Sequence, residues 1–495
     1  MDANGVRKGW RSISRLVSRW LPAALLAVGL IACGGNYSAP APISKASPTR
    51  VSRGTVTGFG SVHVNGVKFE TTSATITVNG QTGVQGDLKV GEVVEVAGHH
   101  DDATGLDVAD TVEFRHNVQG SISAINSTAG TFVVLSQNVI VSADTSFGSG
   151  IAPASLAGLA VNDLVEVSGL AALNGDLQAT HIEKKAAGAT LEVTGVAAAT
   201  DSMAKTLKIN TLTVDFSAAT LTNFSSAGPK DGDRVEAKGA SLGAAGELKA
   251  TSLELVTSHE TGQANEEGEI EGLITRFASA TDFDVDGVAV TTTSSTLYED
   301  GSSTDLALNV RVEAEGSFTA AGVLTASKIH VHLQSASATH LVGPATQVDT
   351  TANTVTILGV TIGVTDLTHF EDSGSQNISA FKLADVQIGD WLDIRGRESP
   401  SAGNLIVATR FERVHPGSKV RLGGIVKTAT QPNFTILSIN VSTTPTTLFS
   451  DGSDAPVGAA AFFLNLTGQR AAVVGTWDGT TFTAESASLG GGLDE

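Results

Sequence analysis

A segment that ends in glycine recurs six times along this chain of 495 residues, and it limits the possible folds more than any other feature. The copies are spaced by roughly 70–80 residues. Apolar residues occupy the second and fourth positions before each glycine, which predicts a strand with one buried face. Glycine or asparagine occupies the seventh position before it, where a turn with positive φ is expected. The closing glycines are Gly98, Gly169, Gly239, Gly316, Gly396 and Gly475.

Each glycine-closed segment lies between other strand signals. A strand built around a small residue follows it, and each repeat opens with a strand that contains glycine and leads into a hairpin. Asn65-Gly66 and Asp286-Gly287 are strong two-residue turn signals within such hairpins. Five or six short strands per repeat predict a small closed barrel or a compact sandwich, and closure removes exposed strand edges. The small residues are Ala109, Ala179, Ala250, Ala326, Ala408 and Ala484.

The N-terminal segment has the pattern of an export and lipid-attachment signal. Residues 1–20 are basic, and the apolar stretch 21–32 fits a signal-peptide core but is too short to span a bilayer comfortably. The stretch ends in Leu30-Ile31-Ala32-Cys33, which resembles a bacterial lipobox. In that family the cysteine receives a diacylglyceryl group and becomes the new N-terminus. Cys33 is the single cysteine of the chain and the predicted lipidation site, with a buried core cysteine as the alternative. Gly34 follows instead of Asp, and the resemblance implies sorting to the outer membrane.

These signals divide the chain into a leader, a tether and six repeats. Residues 34–50 contain three prolines and many small polar residues, which is typical of a flexible tether. We therefore predict an all-β fold: a tandem array of six small OB-like β-barrel (or compact sandwich) repeats after a signal peptide and a flexible tether. The predicted segments are the signal peptide 1–32, the lipidated cysteine and tether 33–50, the repeats 51–116, 117–186, 187–262, 265–334, 338–416 and 418–489, and the tail 490–495.

The repeat pattern resembles the bacterial DUF5666 family, a domain of unknown function found in tandem in exported proteins. Its typical elements are an opening G-x-[IV], a V-x-G hairpin, an L-x-x-G-D-x-V-x-V-x-G strand and an L-x-A-x-x-I strand, and all of them recur here. The resemblance covers nearly the whole mature chain. Repeats three and six depart most, since Ala237 replaces the usual valine and Ala471 and Ala472 weaken the last copy. The family supplies no established activity that could be transferred.

The charge balance narrows the choice of partner. The chain carries a formal net charge of −20 at pH 7. Such a surface repels phosphate backbones, so nucleic-acid binding is disfavoured. Cations, neutral glycans and proteins are compatible with that field. The predicted partners are therefore the membrane, through the lipid on Cys33, and an envelope glycan or protein; no cofactor is expected, and the oligomeric state stays open.

Two short motifs are weak candidates for metal binding. Asp282–Gly287 has the first half of an EF-hand-type calcium loop, but Thr293 stands where that loop has glutamate. The segment also aligns with the hairpins of the other repeats, so a solvated hairpin is the favoured interpretation. His330 and His332 share one strand face, as two ligands could, but we expect that face to be solvated. The candidate ligands are thus Asp282, Asp284, Asp286, His330 and His332.

Acidic residues recur at two positions of the glycine-closed segment. The first position is three residues before the glycine and is acidic in five repeats; the second is six residues before it and is acidic in four. The two positions point to opposite faces of a strand, so they cannot form a catalytic acid–base pair. We expect the first acid to face outward, where it pairs with a cross-strand base or keeps the edge soluble. The first set is Glu95, Glu166, Glu236, Glu313 and Asp393, and the second is Glu92, Asp163, Asp233 and Asp390.

No G-x-S-x-G, Walker A or H-E-x-x-H motif occurs, and no catalytic-looking cluster is confined to one repeat. The leading hypothesis is a non-catalytic, membrane-anchored lipoprotein whose repeats form an envelope or cell-surface interaction platform for a glycan, protein or cation. Divergent loops on a repeated scaffold motivate it, such as Gly148–Leu159 and His369–Leu383. A passive structural stalk or envelope-assembly subunit is the alternative, and an envelope hydrolase is a third hypothesis.

Replacing Cys33 with serine is expected to abolish lipid attachment, because the predicted modification needs a thiol nucleophile. In a diderm bacterium, the wild-type protein should incorporate radiolabelled palmitate, whereas Cys33→Ser should incorporate none and should leave the membrane fraction. Ser38→Ala, in the tether, is the matched control and should label like the wild type. Labelling that persists in Cys33→Ser would contradict the assignment.

Overall fold

The computed structural model describes residues 50–142, 144–256, 262–332, 338–398, 406–452 and 455–489. These described residues belong to one compact unit. Strands make up 59% of the structure and helices 4%, which confirms the all-β prediction. Among the residues that the structure describes, no helix combines the length and the apolar character needed to cross a membrane. The predicted signal peptide, the lipidation site Cys33 and the C-terminal tail lie outside the described residues.

Six successive repeats follow one pattern of strand pairing. Five strands are common to all six repeats, and short extra strands lie between the third and the fourth in some of them. Of these five, the first pairs antiparallel with the second and the fourth, and the second pairs antiparallel with the third. The third strand runs parallel to the fifth, and the antiparallel pair of fourth and fifth strands closes a five-stranded ring. This ring confirms the OB-like barrel predicted from the sequence, and its closure pairs the strand edges.

Repeats one to three lie between Arg50 and Leu255. Repeat one contains β1 (Arg50–Phe59), β2 (Val62–Val64), β3 (Val67–Glu70), β4 (Thr75–Val78), β5 (Gln81–Gly83), a 3-10 helix (Gln85–Asp87), β6 (Val93–Asp101) and β7 (Leu106–Phe114). Repeat two contains β8 (Val118–Asn126), β9 (Thr131–Val134), β10 (Gln137–Ile140), β11 (Ser146–Phe147), a 3-10 helix (Leu156–Gly158), β12 (Leu164–Ala171) and β13 (Leu177–Lys184). Repeat three contains β14 (Leu191–Asp201), β15 (Thr206–Ile209), β16 (Leu212–Asp215), β17 (Thr220–Thr222), β18 (Arg234–Leu242) and β19 (Leu248–Leu255).

Repeats four to six lie between Glu267 and Leu489. Repeat four contains β20 (Glu267–Ser279), β21 (Asp282–Val285), β22 (Val288–Glu299), a 3-10 helix (Ser303–Asp305), β23 (Arg311–Phe318) and β24 (Leu324–His332). Repeat five contains β25 (Ala338–Asp349), β26 (Thr354–Ile357), β27 (Val360–Gly363), β28 (His369–Asp372), a 3-10 helix (Leu383–Asp385), β29 (Trp391–Glu398) and β30 (Ile406–Val414). Repeat six contains β31 (Val420–Thr430), β32 (Asn433–Ile436), β33 (Ile439–Ser450), β34 (Pro456–Val457), α1 (Ala459–Phe462), β35 (Arg470–Trp477) and β36 (Thr481–Leu489).

Hydrogen bonds between the first strands of different repeats join the barrels in pairs, which gives three twelve-stranded sheets. β8 pairs antiparallel with β14 and β25 pairs antiparallel with β31, so repeats two and three share one sheet and repeats five and six another. β1 runs parallel to β20, which joins repeats one and four although they are distant in the sequence. Repeats two and three also share one hydrophobic core, as do repeats five and six, whereas repeats one and four keep separate cores.

The closing glycines are required because another backbone lies against them. At each one, the fourth strand shifts register against the fifth in a β-bulge, and the glycine faces the alanine that recurs in the next strand. A Cβ added at any of the six would lie 2.0–2.3 Å from a backbone carbonyl oxygen, closer than real atoms approach. The turn position seven residues earlier has φ between 65° and 96° in all six repeats, as predicted. The closing glycine therefore recurs in every repeat because closure of the ring leaves no space for a side chain at this position.

The acids six residues before four of the closing glycines accept hydrogen bonds from backbone N–H groups in the turn before the fourth strand. The Glu92 carboxylate accepts a hydrogen bond from the Lys89 N–H at 2.7 Å. Three others accept a bond of 2.8–3.0 Å from the N–H group three residues earlier, namely Asp163, Asp233 and Asp390. These acids therefore have a local structural role, since a side chain that satisfies a turn N–H stabilises the turn.

The first set of acids faces outward as expected but is covered, so the expectation that these acids keep a strand edge soluble is wrong. Three of them are buried and two are half-buried, namely Glu166, Glu236 and Glu313, then Glu95 and Asp393. The strands alternate as predicted, but the outward face of one barrel is covered by another repeat. A base from another repeat compensates the buried charge of Glu236 in repeat three, because Arg115 of repeat one donates to it at 2.9 Å.

His116 lies between two buried carboxylates where repeats one, two and three meet. Its Nδ1 is 3.1 Å from Glu166 and its Nε2 is 3.3 Å from Glu192. Burial lowers the pKa of His116, but the two carboxylates outweigh it and raise this pKa to about 9, so the ring is charged at neutral pH. Lys238 lies 2.9 Å from Glu192 and extends the network. Loss of either partner would leave an uncompensated buried charge, so it would destabilise the junction of these three repeats.

Replacing Gly169 with alanine is expected to lower the free energy of unfolding by about 1–3 kcal/mol or more, because the new methyl group would press on the Gln178 carbonyl. Gly58→Ala is the matched control, since no atom lies within 4 Å of a Cβ added there. Urea unfolding followed by circular dichroism measures both. If Gly169→Ala and Gly58→Ala unfolded at the same urea concentration, the bulge would tolerate a side chain.

The free energy of unfolding should fall as the pH rises from 6.5 to about 9, because His116 binds its proton more tightly in the folded state. Its contribution is fully present below pH 6.5 and is lost as the ring titrates in the folded protein. It amounts to about 3 kcal/mol, at roughly 1.4 kcal/mol for each tenfold change in proton affinity. Urea unfolding of wild type and His116→Gln across this range measures the effect, with the partly exposed His100→Gln as control. An unchanged pH dependence in His116→Gln would contradict the prediction.

Candidate functional site

A cavity of about 730 Å³ lies between repeats one, four and five, and we call it the polar cavity. Repeat four supplies more of its lining than any other repeat. Repeat one contributes Arg50 and the hairpin turn Asn65–Val67, repeat five contributes Thr365–Leu367 and His369, and repeat two contributes Asp144. This volume falls within the range of about 300–1,000 Å³ that is common for small-molecule sites.

Alternation along β23 and β24 decides which side chains reach the polar cavity. Val312 and Ile329 are buried in the barrel core, so the residues on either side of them point outward. The outward set is Arg311, Glu313 and Glu315 from β23, and Lys328, His330 and His332 from β24. The shared face predicted for His330 and His332 is confirmed. The expectation that this face is solvated is wrong, because repeats one and five cover it and leave these two side chains 8% and 16% exposed.

Three histidines line the polar cavity as neutral imidazoles. The ring centroids of His330 and His332 lie 4.5 Å apart, and burial lowers the pKa of both rings, that of His332 most. Burial also lowers the pKa of His369, from repeat five, to about 4. His330 Nε2 lies 3.1 Å from Arg397. Nδ1 of His330, Nε2 of His332 and Nδ1 of His369 are buried and have no hydrogen-bond partner in the described part of the chain.

Ion pairs between repeats fix the walls of the polar cavity. Arg397 of repeat five donates to Asp300 of repeat four at 2.8 Å. Arg311 Nε donates to Glu271 at 2.8 Å, and Glu271 accepts bonds of 2.8 Å from both the N–H and the hydroxyl of Thr55 in repeat one. Burial raises the pKa of Glu271, but Arg311 and Thr55 outweigh it and lower this pKa below its ordinary value. The walls are therefore held in place before any ligand arrives.

Two glutamates of the polar cavity retain protons at unusually high pH. Burial, with a smaller effect from Glu271, raises the pKa of Glu313 well above its ordinary value. Burial also raises the pKa of Glu269 to about 7, against the opposing charge of Arg50. A protonated carboxyl group can donate a hydrogen bond as well as accept one. The cavity is therefore less negative than its composition implies and presents both donors and acceptors.

The aspartates of the calcium-like motif do not converge on one point. The segment forms β21 and a two-residue turn with φ of 47° and 86°, which confirms the hairpin interpretation. Arg276 donates to Asp282 at 2.7 Å and to Asp284 at 2.6 Å. Arg53 of repeat one pairs with Asp286, so this carboxylate is not solvated, contrary to expectation. In the described ranges there is no group of three or more His, Cys, Asp or Glu side chains that could hold a metal ion.

Sequence reasoning missed most of the polar cavity. Arg311, His369 and Arg397 belong to no motif, and they come together only because different repeats pack side by side. The recurring acid did mark Glu313, but as a solvated residue. Its burial leaves no local signal, since the outward faces of the six barrels follow the same alternation in sequence.

Comparison with known families gives a clear result. The model of DUF5666, a domain of unknown function, matches residues 52–113, 119–183, 190–254, 271–330 and 342–412. These matches cover more than half of the chain, and the protein belongs to the DUF5666 family. Repeat six lies outside the matched residues but has the same strand pairing.

No curated protein matches the chain. Among solved structures, the Drosophila Unr CSD456 structure is 14% identical, and the match covers 42% of this chain and 98% of that chain with a TM-score of 0.14. A likeness with that TM-score supports no argument about fold or function.

Proposed function

We propose that this protein is an exported, lipid-anchored binding protein without catalytic activity, whose polar cavity accepts an uncharged polar ligand of the saccharide class. The observation that carries the proposal is the polar cavity itself, whose lining comes from four repeats and contains both hydrogen-bond donors and acceptors. The lipobox-like segment that ends at Cys33 supports the anchor and the outer-membrane location. The palmitate-labelling experiment tests that part independently.

The lining of the polar cavity favours a ligand rich in hydroxyl groups. Lys328 and Arg397 offer donors, and Glu299 and Glu315 offer acceptors, so both roles of a hydroxyl group can be satisfied. Tyr298 adds an aromatic ring with a polar tip. A phosphate-bearing ligand would meet more acidic than basic side chains in this lining. These features support a saccharide over a polyanion.

A structural role is the second candidate, and one observation favours it. Charged groups in the cavity walls are paired with one another, as Arg397 is with Asp300 and Arg311 is with Glu271. In that case the cavity would be a hydrated space left between packed barrels, and the repeats would act as an envelope spacer or assembly subunit. Ligand binding separates the two candidates.

Titration calorimetry of the purified protein with a panel of envelope mono- and oligosaccharides is expected to detect binding at one site. The double variant Glu315→Ala/Lys328→Ala should weaken that binding by roughly 10–100-fold, because a hydrogen bond to a charged group contributes about 1.5–3 kcal/mol. These two side chains pair across β23 and β24 at 2.7 Å and are partly exposed, so their removal spares the core.

The matched control is Asp215→Ala/Lys249→Ala. It removes another cross-strand pair, of 2.9 Å, from β16 and β19 of repeat three. This control should bind like the wild type. Heat signals that are absent for every saccharide, or that fall equally in both double variants, would favour the structural role. Turnover of any of these saccharides would overturn the non-catalytic proposal.

A further inference from the structure

The first described residue of the chain is part of the polar cavity. β1 begins at Arg50, and the Arg50 side chain lines the cavity. Its backbone is fixed on both sides, because Arg50 pairs with Gly98 in the antiparallel β6 and with Glu267 in the parallel β20. The Arg50 guanidinium also lies 3.0 Å from Asp107 and 3.0 Å from Glu267. The point at which the N-terminal segment joins the barrels is therefore held at the cavity wall.

One opening of the polar cavity lies at the end of the sheet where β1 begins. β1, β20 and β24 run in the same direction, and β23 lies antiparallel between β20 and β24. Toward the start of β20, side-chain exposure rises from 4% at Glu269 to 60% at Glu267. Toward the start of β24, it rises from 8% at His330 to 33% at Lys328. The cavity is therefore deep at His330 and open beside Arg50.

The length of the N-terminal segment limits how far this opening can lie from the predicted anchor. Sixteen residues, 34–49, separate Cys33 from Arg50. A fully extended chain spans about 3.3–3.6 Å per residue, so this segment reaches at most about 60 Å. Because the segment joins the barrels at the cavity, the opening beside Arg50 stays within roughly that distance of the membrane that would hold the lipid on Cys33.

We propose that the ligand of the polar cavity is the saccharide head group of a glycolipid in the membrane that holds the Cys33 lipid. This inference rests on the proposed function, since it needs both a saccharide-binding cavity and the anchor. A head group that projects from that membrane can enter beside Arg50 and reach the deep end at His330, while its acyl chains stay in the bilayer. Such a ligand needs no apolar pocket in the protein, in agreement with the polar lining of the cavity.

Confinement to one membrane would strengthen the binding of such a ligand without any new contact. The anchored protein and the glycolipid share one surface, so they meet as linked partners do, at a high effective concentration. Linkage of this kind raises apparent affinity by about 10²–10⁴-fold. A few hydrogen bonds from side chains such as Glu315 and Lys328 would then suffice to hold a membrane-borne saccharide, whereas a free saccharide gains nothing from the anchor.

Vesicle flotation with the purified Cys33→Ser protein, which lacks the lipid, tests whether the cavity accepts a membrane-borne head group. Each vesicle preparation contains phosphatidylcholine and one saccharide of the calorimetry panel linked to diacylglycerol. The protein is expected to float with vesicles that display a saccharide it binds in free form, and not with phosphatidylcholine alone. Glu315→Ala/Lys328→Ala should reduce flotation at least tenfold, and the control Asp215→Ala/Lys249→Ala should leave it unchanged.

Competition by free saccharide measures what the anchor adds. A dye on Ser317→Cys, an exposed position that pairs with Glu267 at the opening, reports occupancy of the cavity. Lipidated protein in glycolipid vesicles should need at least tenfold more free saccharide for displacement than the Cys33→Ser protein bound to the same vesicles.

The outcomes separate this inference from the proposed function. If free saccharide binds but the protein floats with none of the glycolipid vesicles, the membrane-borne ligand is wrong and the saccharide site stands. Equal displacement of lipidated and Cys33→Ser protein would show that the anchor and the ligand do not act from one membrane, and would also overturn the inference. Absence of binding to every saccharide, free or membrane-borne, would overturn the proposed function itself.

Discussion

Close backbone contact between the fourth and fifth strands of each barrel is the constraint on which the rest of this structure depends. At that point a bulge brings a carbonyl oxygen so near that glycine, opposite alanine, is required, as at Gly169 and Ala179. The bulge bends the strand pair and lets five strands close into a ring. Once the ring is closed, the alternation of side chains fixes one face toward the core and the other toward neighbouring barrels. The polar cavity and the ion pairs between repeats are built on that second face.

Burial of polar outward faces makes the six barrels one body. Ion pairs and hydrogen bonds cross the junctions, such as His116 between Glu166 and Glu192, and Thr55 on Glu271. Each buried carboxylate depends on its partner, because a charge left alone in the interior costs several kcal/mol. At the junction of repeats one and four, the N–H and the hydroxyl of Thr55 donate to Glu271 beside the parallel pair of β1 and β20.

The sequence predicted a few individual residues of the candidate site, but it did not predict that they line one cavity. The spacing of His330 and His332 correctly placed both rings on one face, and the recurring acid correctly marked position Glu313. Solvation was assigned wrongly to all three, because burial by another repeat has no periodic signature in the sequence. His369 and Arg397 carried no signal, since a cavity between repeats is formed by residues that share neither a motif nor a repeat. The divergent loops, in contrast, were visible in the sequence as departures from the repeat pattern.

The sequence by itself determined the all-β class, the repeated barrel, the bulge glycines with their facing alanines, and the turn residues with positive φ. These features follow from contacts between neighbouring strands of one repeat, so each leaves a regular pattern in a short stretch of sequence. Only the tertiary structure decided which repeats join, which outward faces are buried and where the polar cavity lies. Those outcomes depend on complementary charges and shapes between segments that are hundreds of residues apart, and the six similar barrels leave that choice open until they pack together.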